Sequence, residues 1–160
     1  MPMRYRLAFP AESYPDGAVR FERDGELALA ADDRFILANI ELPVKGRPHD
    51  QFVWTCWVSL SHESYDRLQR LWDQPDRAEQ EWAFGYVSST LPTYEPSTFA
   101  LKSHVYTRAI GLRPWVELEP TQHPLAVEQR EGMGEDRIAI VYHYYKDQAR
   151  HEGGGNGAHS

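Results

Sequence analysis

The residues best suited to chemistry are two glutamates and a histidine in the second half of the chain, Glu117, Glu119 and His123. On a strand, the two glutamates share one face because side-chain direction alternates along the chain. His123 follows at the start of a predicted helix, close to the end of that strand. Two carboxylates and an imidazole can support general acid–base catalysis or hold one metal ion. The structural alternative is a solvated strand face with His123 fixing the turn, and both interpretations stay open at this point.

An enzyme built on these groups would be a small hydrolase or lyase that acts on a polar substrate. Glu117 or Glu119 would be the general base and His123 the general acid. Arg113 or Lys102 would hold an anionic group of the substrate. This hypothesis requires all of these side chains to converge on one cleft.

The chain carries none of the sequence signatures that mark common catalytic or metal sites. It contains no H-E-x-x-H, C-x-x-C or EF-hand loop, and its histidines stand singly rather than four residues apart. No serine lies in G-x-S-x-G or S-x-x-K. Cys56 lies inside an apolar run and is expected to be buried and inert. We therefore expect no metal, no cofactor and no covalent catalysis.

Aromatic and basic residues supply a second set of candidates, for binding rather than catalysis. Most of the aromatic side chains are expected in the core. Any that reach the surface would form a binding patch, because aromatic residues and arginine dominate the energetics of interfaces. The residues that we select for such a patch are Trp57, Tyr94, Lys102, Arg113 and Trp115.

These side chains must be positioned by a mixture of strands and helices. The first 25 or so residues are rich in turns and are interpreted as loop, with one edge strand as an option. Runs of apolar, β-branched and aromatic residues predict strands further on. The predicted strands are Phe35–Leu42, Phe52–Leu60, Trp82–Ser88, Leu101–Arg108 and Trp115–Leu118.

Helical spacing of apolar residues predicts three helices. The first begins after Ser61 as its N-cap and ends before Pro75. The second follows Thr121 as its N-cap and ends at Gly132. The third covers Glu135–Arg150, with a strand as the alternative because the segment is rich in β-branched and aromatic residues.

The order of these elements predicts an α+β fold. Because strands and helices do not alternate regularly, we expect a single domain with a largely antiparallel β-sheet and about three helices packed on it. A length of 160 residues fits one domain. We place this domain at residues 1–150, with a core of about 14–140, and interpret the Gly-rich residues 151–160 as a flexible tail.

Composition limits the classes of partner. The chain has 17 basic and 24 acidic residues, a formal net charge of −7, so no net positive field attracts nucleic acid. No segment approaches the roughly 18–20 apolar residues that a membrane span needs. The N-terminus lacks the apolar run of a secretory signal. We therefore expect a soluble cytoplasmic protein.

Several stretches of the sequence, taken in order, carry a resemblance to a known family. They are Phe35–Leu37 through Leu42–Val44, Phe52–Trp54 with Trp57–Ser61, Phe84–Tyr86, Leu91–Tyr94, Leu101–Lys102, and the long run Arg113–Gly132, called the motif run below. Together they span about residues 14–140 and resemble DUF2199, a family of uncharacterised bacterial proteins. The resemblance implies one whole domain of that family and no particular activity. Many members begin with a Cys-x-x-Cys-Gly element, but Met1–Phe9 holds no cysteine, so no zinc role is carried over.

These observations favour a non-catalytic binding protein over an enzyme. The partner would be a protein or a small ligand. Residues 113–137 hold six acidic residues and three arginines, which suits a basic partner surface. An immunity protein that neutralises a toxin is one concrete form of this hypothesis, by analogy alone.

Overall fold

The structure is a computed structural model that describes residues 1–80 and 83–159, with side chains as far as Glu152. The strands in these ranges are β1 (Arg4–Arg6), β2 (Val19–Glu22), β3 (Leu27–Ala30), β4 (Asp33–Val44), β5 (Arg47–Leu60), β6 (Ala83–Val87), β7 (Lys102–Tyr106) and β8 (Trp115–Leu118). The helices are α1 (His62–Leu71), α2 (Pro124–Glu131) and α3 (Glu135–His159). Single 3₁₀ turns cover Ala11–Ser13 and Arg77–Glu79.

The strands join in one sheet, and five of them close into a ring. Neighbouring strands run in the order β1-β5-β6-β7-β8-β4-β3-β2, and β4 also pairs with β5. Strands β4 to β8 therefore form a closed ring, with β1 and the β2–β3 hairpin attached to it. Successive strands of the ring are antiparallel, so an odd number of strands requires one parallel pair. That pair is β4–β8, where Asn39 lies beside Trp115.

The two long strands each change partners halfway along. On the edge of β4 that faces away from β5, the Leu37 N–H donates to the residue before β3, and the Asn39 N–H donates to the residue before β8. On the far edge of β5, the Thr55 C=O accepts from the segment after β1, and the Trp57 C=O accepts from the residue after β6. Leu37 lies opposite Trp57, and Asn39 lies opposite Thr55. Both changes therefore occur at the same level of the β4–β5 pair.

Both faces of the β4–β5 pair are buried. One face forms the main core together with all three helices, and it contains the fully buried Trp54 and Phe52. The opposite face forms a smaller core, in which Phe35, Leu37 and Trp57 are buried. Partly buried side chains of the N-terminal segment, including Phe9, cover this second core. Burial on two faces explains why the run in β5 is apolar without alternation.

The predicted fold class is confirmed, since one mixed sheet and three helices form a single α+β domain. Glu135–Arg150 lies within a helix rather than a strand. The Ser61 Oγ accepts from the Ser64 N–H at 3.1 Å, as an N-cap does. Gly132 follows α2 with φ of 100°, a conformation that favours glycine. The domain boundary at 150 and the flexible tail stay predictions.

Two details of the sequence interpretation are wrong. The first 25 residues hold two strands rather than one edge strand, because Arg4–Arg6 pairs in parallel with β5, a contact over a sequence distance that local patterns do not show. The N-cap of α2 is His123 rather than Thr121, because Pro124 occupies the first helical position that its fixed φ favours. The predicted strand from Trp82 begins in the structure at Ala83, and Trp82 lies outside the described residues.

We expect Gly85→Ala to lower the free energy of unfolding by about 1–3 kcal/mol. A Cβ at Gly85 would meet the Ser59 carbonyl oxygen and the Val58 Cγ1, both at 2.6 Å. The matched control is Gly134→Ala, whose Cβ would meet only the end of the Asp136 side chain within 3 Å. Urea unfolding measures both variants, and equal unfolding midpoints would contradict this packing of β6 against β5.

Candidate functional site

The acid–base candidates lie at the end of β8 and at the N-cap of α2. Glu117 is exposed on β8, and Glu119 follows that strand. The ring of His104 lies beside Glu119, with Nε2 3.7 Å from Oε1. In residues 1–80 and 83–152, no hydrogen bond or ion pair joins His123 to either glutamate.

Both ring nitrogens of His123 are bonded to the backbone. Nδ1 accepts from the Leu125 N–H at 3.0 Å, which caps α2. An accepting Nδ1 carries no proton, so the neutral ring is protonated at Nε2, which donates to the Pro96 C=O at 2.9 Å. Proton transfer by this histidine would therefore require it to leave the cap or the loop. The arrangement corresponds to the structural alternative stated above.

Tyr94 lies at the centre of a buried hydrogen-bond network that joins the sheet to α2 and α3. Its hydroxyl donates to Glu128 Oε1 at 2.6 Å and accepts from the Trp54 Nε1–H at 3.1 Å. The Nε of Arg137 donates to Glu128 Oε2 at 3.0 Å, and its guanidinium lies 4.9 Å from the centre of the Tyr94 ring. Burial, and then the charge of Glu128, raises the pKa of Tyr94, so the hydroxyl stays a donor.

Other residues of the motif run also bond to the fold. The Oε1 of Gln129 accepts from the Leu118 N–H at 2.8 Å, and its Nε2 donates to the Val116 C=O at 2.7 Å. These two bonds tie α2 to β8. Arg113 forms an ion pair with Glu26, with Nη2 3.0 Å from Oε1. Gln129 and Arg113, like His123 and Glu128, thus hold parts of the fold together.

A different set of polar and aromatic side chains points away from the main core on the last three strands of the ring. The burial of β6, β7 and β8 alternates, so every second side chain faces outward. We call this surface the outer face. It consists of Phe84, Tyr86, Lys102, His104, Tyr106, Trp115 and Glu117.

Strand register places the outer face in rows across the sheet. Phe84 lies opposite His104, and His104 lies opposite Glu117. In the next row, the rings of Tyr106 and Trp115 stack with centres 4.6 Å apart and planes at 17°. The Phe84 ring is 36% exposed. The outer face therefore presents aromatic rings in fixed positions.

A cleft of about 480 Å³ opens beside Trp115 and Glu117. Its wall includes Glu41, whose carboxylate accepts two hydrogen bonds from Arg108 at 2.7 and 2.8 Å. This bidentate pair neutralises Glu41 and holds the loop after β7 against β4. The cleft and the outer face are continuous, since Trp115 and Glu117 belong to both.

The structure divides the candidates from the sequence into two groups. The first group lies on or beside the outer face and consists of Lys102, Trp115, Glu117 and Glu119. The second group is built into the fold and consists of Trp57, Tyr94, Arg113 and His123. Alternation within β7 indicates which of its side chains lie on the same face of the sheet. That Phe84 lies on this face beside them depends on the pairing of β6 with β7, which the sequence of β7 does not show. Sequence reasoning therefore missed Phe84 and Tyr106 as site residues.

Within residues 1–80 and 83–152, no group of three or more His, Cys, Asp or Glu side chains is placed to hold a metal ion. Cys56 is fully buried, and burial raises the pKa of its thiol to about 12. In the same part of the chain, no helix is both long and apolar enough to cross a membrane.

Comparison with known protein families yields a match over most of the chain. The family model described as "Uncharacterized protein conserved in bacteria (DUF2199)" matches residues 9–133. That range contains the sheet from β2 to β8, the first two helices and the whole outer face. No curated protein and no solved structure matches the chain.

We expect Tyr94→Phe to lower the free energy of unfolding by about 1–3 kcal/mol, because the buried Trp54 Nε1–H loses its acceptor. Tyr86→Phe is the matched control, since Tyr86 is 42% exposed and the change keeps its ring. Thermal or urea unfolding of the two variants makes the comparison. An unchanged stability of Tyr94→Phe would show that the network is not structural.

Proposed function

Since the chain belongs to DUF2199, we propose that this member of the family is a non-catalytic binding protein of the bacterial cytoplasm. Its outer face would engage a basic protein partner. The observation that carries this proposal is the set of aromatic rings that strand register holds on the exposed side of β6, β7 and β8. The proposal extends the family assignment, which names no activity.

The aromatic content of the outer face supports this proposal. Interface cores are enriched in Tyr, Trp and Phe, and a few such anchors carry most of the binding free energy. Phe84, Tyr86, Tyr106 and Trp115 provide rings of this kind on rigid strands. Rings that are already fixed by stacking lose little conformational entropy on binding.

Charge favours a basic partner. The formal net charge of −7 creates a negative field that accelerates encounter with a positively charged protein and is screened by salt. Glu117 of the outer face is exposed, and the Glu119 carboxylate lies beside the face. An immunity protein bound to a basic toxin is one form that such a complex takes, by analogy.

The alternative of a hydrolase or lyase gains less support. His123, the general acid in that hypothesis, is bonded at both ring nitrogens to the backbone. Arg113, one of the two residues that would hold an anionic group of the substrate, forms an ion pair with Glu26. Glu117 and Glu119 are more simply explained as charged residues at the edge of a binding face.

We expect the full-length protein to capture one stoichiometric partner from a lysate of its own bacterium at low salt, with less capture at high salt. Tyr86→Ala should reduce this capture about tenfold or more, because truncation of an aromatic anchor removes much of the binding free energy. Quantitative mass spectrometry of the captured proteins measures both effects.

The matched control for this experiment is Tyr144→Ala on α3, since Tyr144 is 39% exposed and Tyr86 is 42% exposed. The control should leave capture unchanged. If Tyr86→Ala captures as much partner as the unmodified protein, or if association does not depend on salt, the outer face is not the interface that we propose.

A further inference from the structure

A second cleft lies beside the smaller core, between the N-terminal segment and the turn after β6. It has a volume of about 560 Å³ and is lined by residues 7–10, 12–14 and 88–90, with others from β4 and β5. This volume lies in the range of roughly 300–1,000 Å³ typical of small-molecule sites. The cleft shares no lining residue with the outer face.

One wall of this cleft is aromatic. The ring of Phe9 contacts Phe35 edge-on, with centres 5.0 Å apart, and stacks with Tyr14 at 6.0 Å. A fourth ring, Phe99, also lines the cleft and is 64% exposed. Aromatic faces attract cations through their quadrupoles, and they also provide apolar surface for an organic ligand.

The charged side chains that line the cleft are both acidic. Glu12 and Asp33 contribute carboxylates, and the described lining residues include no Lys, Arg or His. The Tyr14 hydroxyl donates to Asp33 Oδ2 at 2.7 Å, which fixes the carboxylate at the edge of the aromatic wall. Burial, and then the Asp33 carboxylate, raises the pKa of Tyr14 to about 12, so Tyr14 remains a neutral donor to that carboxylate.

Hydroxyl groups form a further side of the cleft. Ser59 and Ser88 both donate to the Tyr86 C=O at 3.3 Å, and their oxygens can still accept from a ligand. Thr90 also lines this side. An N–H-rich ligand would find acceptors here as well as at the carboxylates, whereas the two carboxylates would repel an anion.

We propose that this cleft binds a small organic cation, an amine or a guanidine carried on an apolar or aromatic body. The cationic group would lie between Asp33 and Glu12, with its apolar body against Phe9 and Phe35. This site is independent of the protein partner proposed above, so either proposal can fail without the other.

The test uses the full-length ¹⁵N-labelled protein and titrates it with phenethylammonium and benzylguanidinium, monitored by amide chemical shifts. Phenethyl alcohol is the neutral probe and hydrocinnamate the anionic one. We expect saturable shifts from at least one cation, located at Phe9–Tyr14, Asp33 and residues 88–90. The neutral probe should bind at least about tenfold more weakly, and the anion should produce no saturable shift.

Variants distinguish binding that depends on the negative charge of the cleft from nonspecific binding to its apolar surface. Asp33→Asn keeps an acceptor for Tyr14, so the fold is retained, and should weaken cation binding about tenfold. Phe99→Ala should also weaken it, and Phe99 is exposed enough that its loss leaves the core intact. The matched control is Asp50→Asn, an exposed aspartate whose partner is Arg47 and which lies outside the cleft.

Three results would overturn the proposal. They are no saturable shift with either cation, equal affinity for the cationic and neutral probes, and equal cation affinity of Asp33→Asn and the unmodified protein. Shifts that saturate but map to the outer face would likewise contradict the site, because the two surfaces are lined by different residues.

Discussion

The pairing of β4 with β5 is the constraint on which the rest of the structure depends. These long strands bond to each other along most of their length, and each bonds to two different neighbours on its other edge. The change of neighbour falls between Leu37 and Asn39 on β4 and between Thr55 and Trp57 on β5. At this level the sheet divides, so that β6, β7 and β8 close a ring while β1, β2 and β3 extend outside it.

Closure of the ring decides which side chains are left for binding. The side chains inside the ring pack against the helices in the main core. Polar residues of α2 bond to the strands and to the loop before β7, and so hold the helix in place. Tyr94 and Glu128 fill this role through buried hydrogen bonds. The outward side chains of β6 to β8 take no part in that network, and parallel pairing with β4 brings Trp115 beside the cleft that Glu41 lines. The functional proposal therefore concerns the outer face, which includes Trp115 and Glu117 of the motif run, rather than the polar residues of α2.

Much of the fold could be predicted from local sequence, and the candidate site could be predicted only in part. The apolar run in β5, the Ser61 cap and the outward side of β7 follow from patterns within a few residues. The three-residue β1 and the rows of the outer face depend on register between distant strands, which no local pattern contains. His123 shows a further limit, since a helix-capping imidazole and a catalytic one have the same sequence context. Spacing alone therefore cannot distinguish these two roles of a histidine in the motif run.

Hydrogen exchange of one backbone amide tests ring closure most directly. The Asn39 N–H donates to the Pro114 C=O at 2.9 Å, and this bond exists only if β8 lies beside β4. The Leu37 N–H, on the same edge of β4, instead donates to the Glu26 C=O at 2.8 Å. It is the internal reference. Because bonded amides exchange only when the structure opens, we expect both to exchange slowly. Fast exchange at Asn39 with protection at Leu37 would mean that the ring is open and that the outer face does not adjoin the cleft.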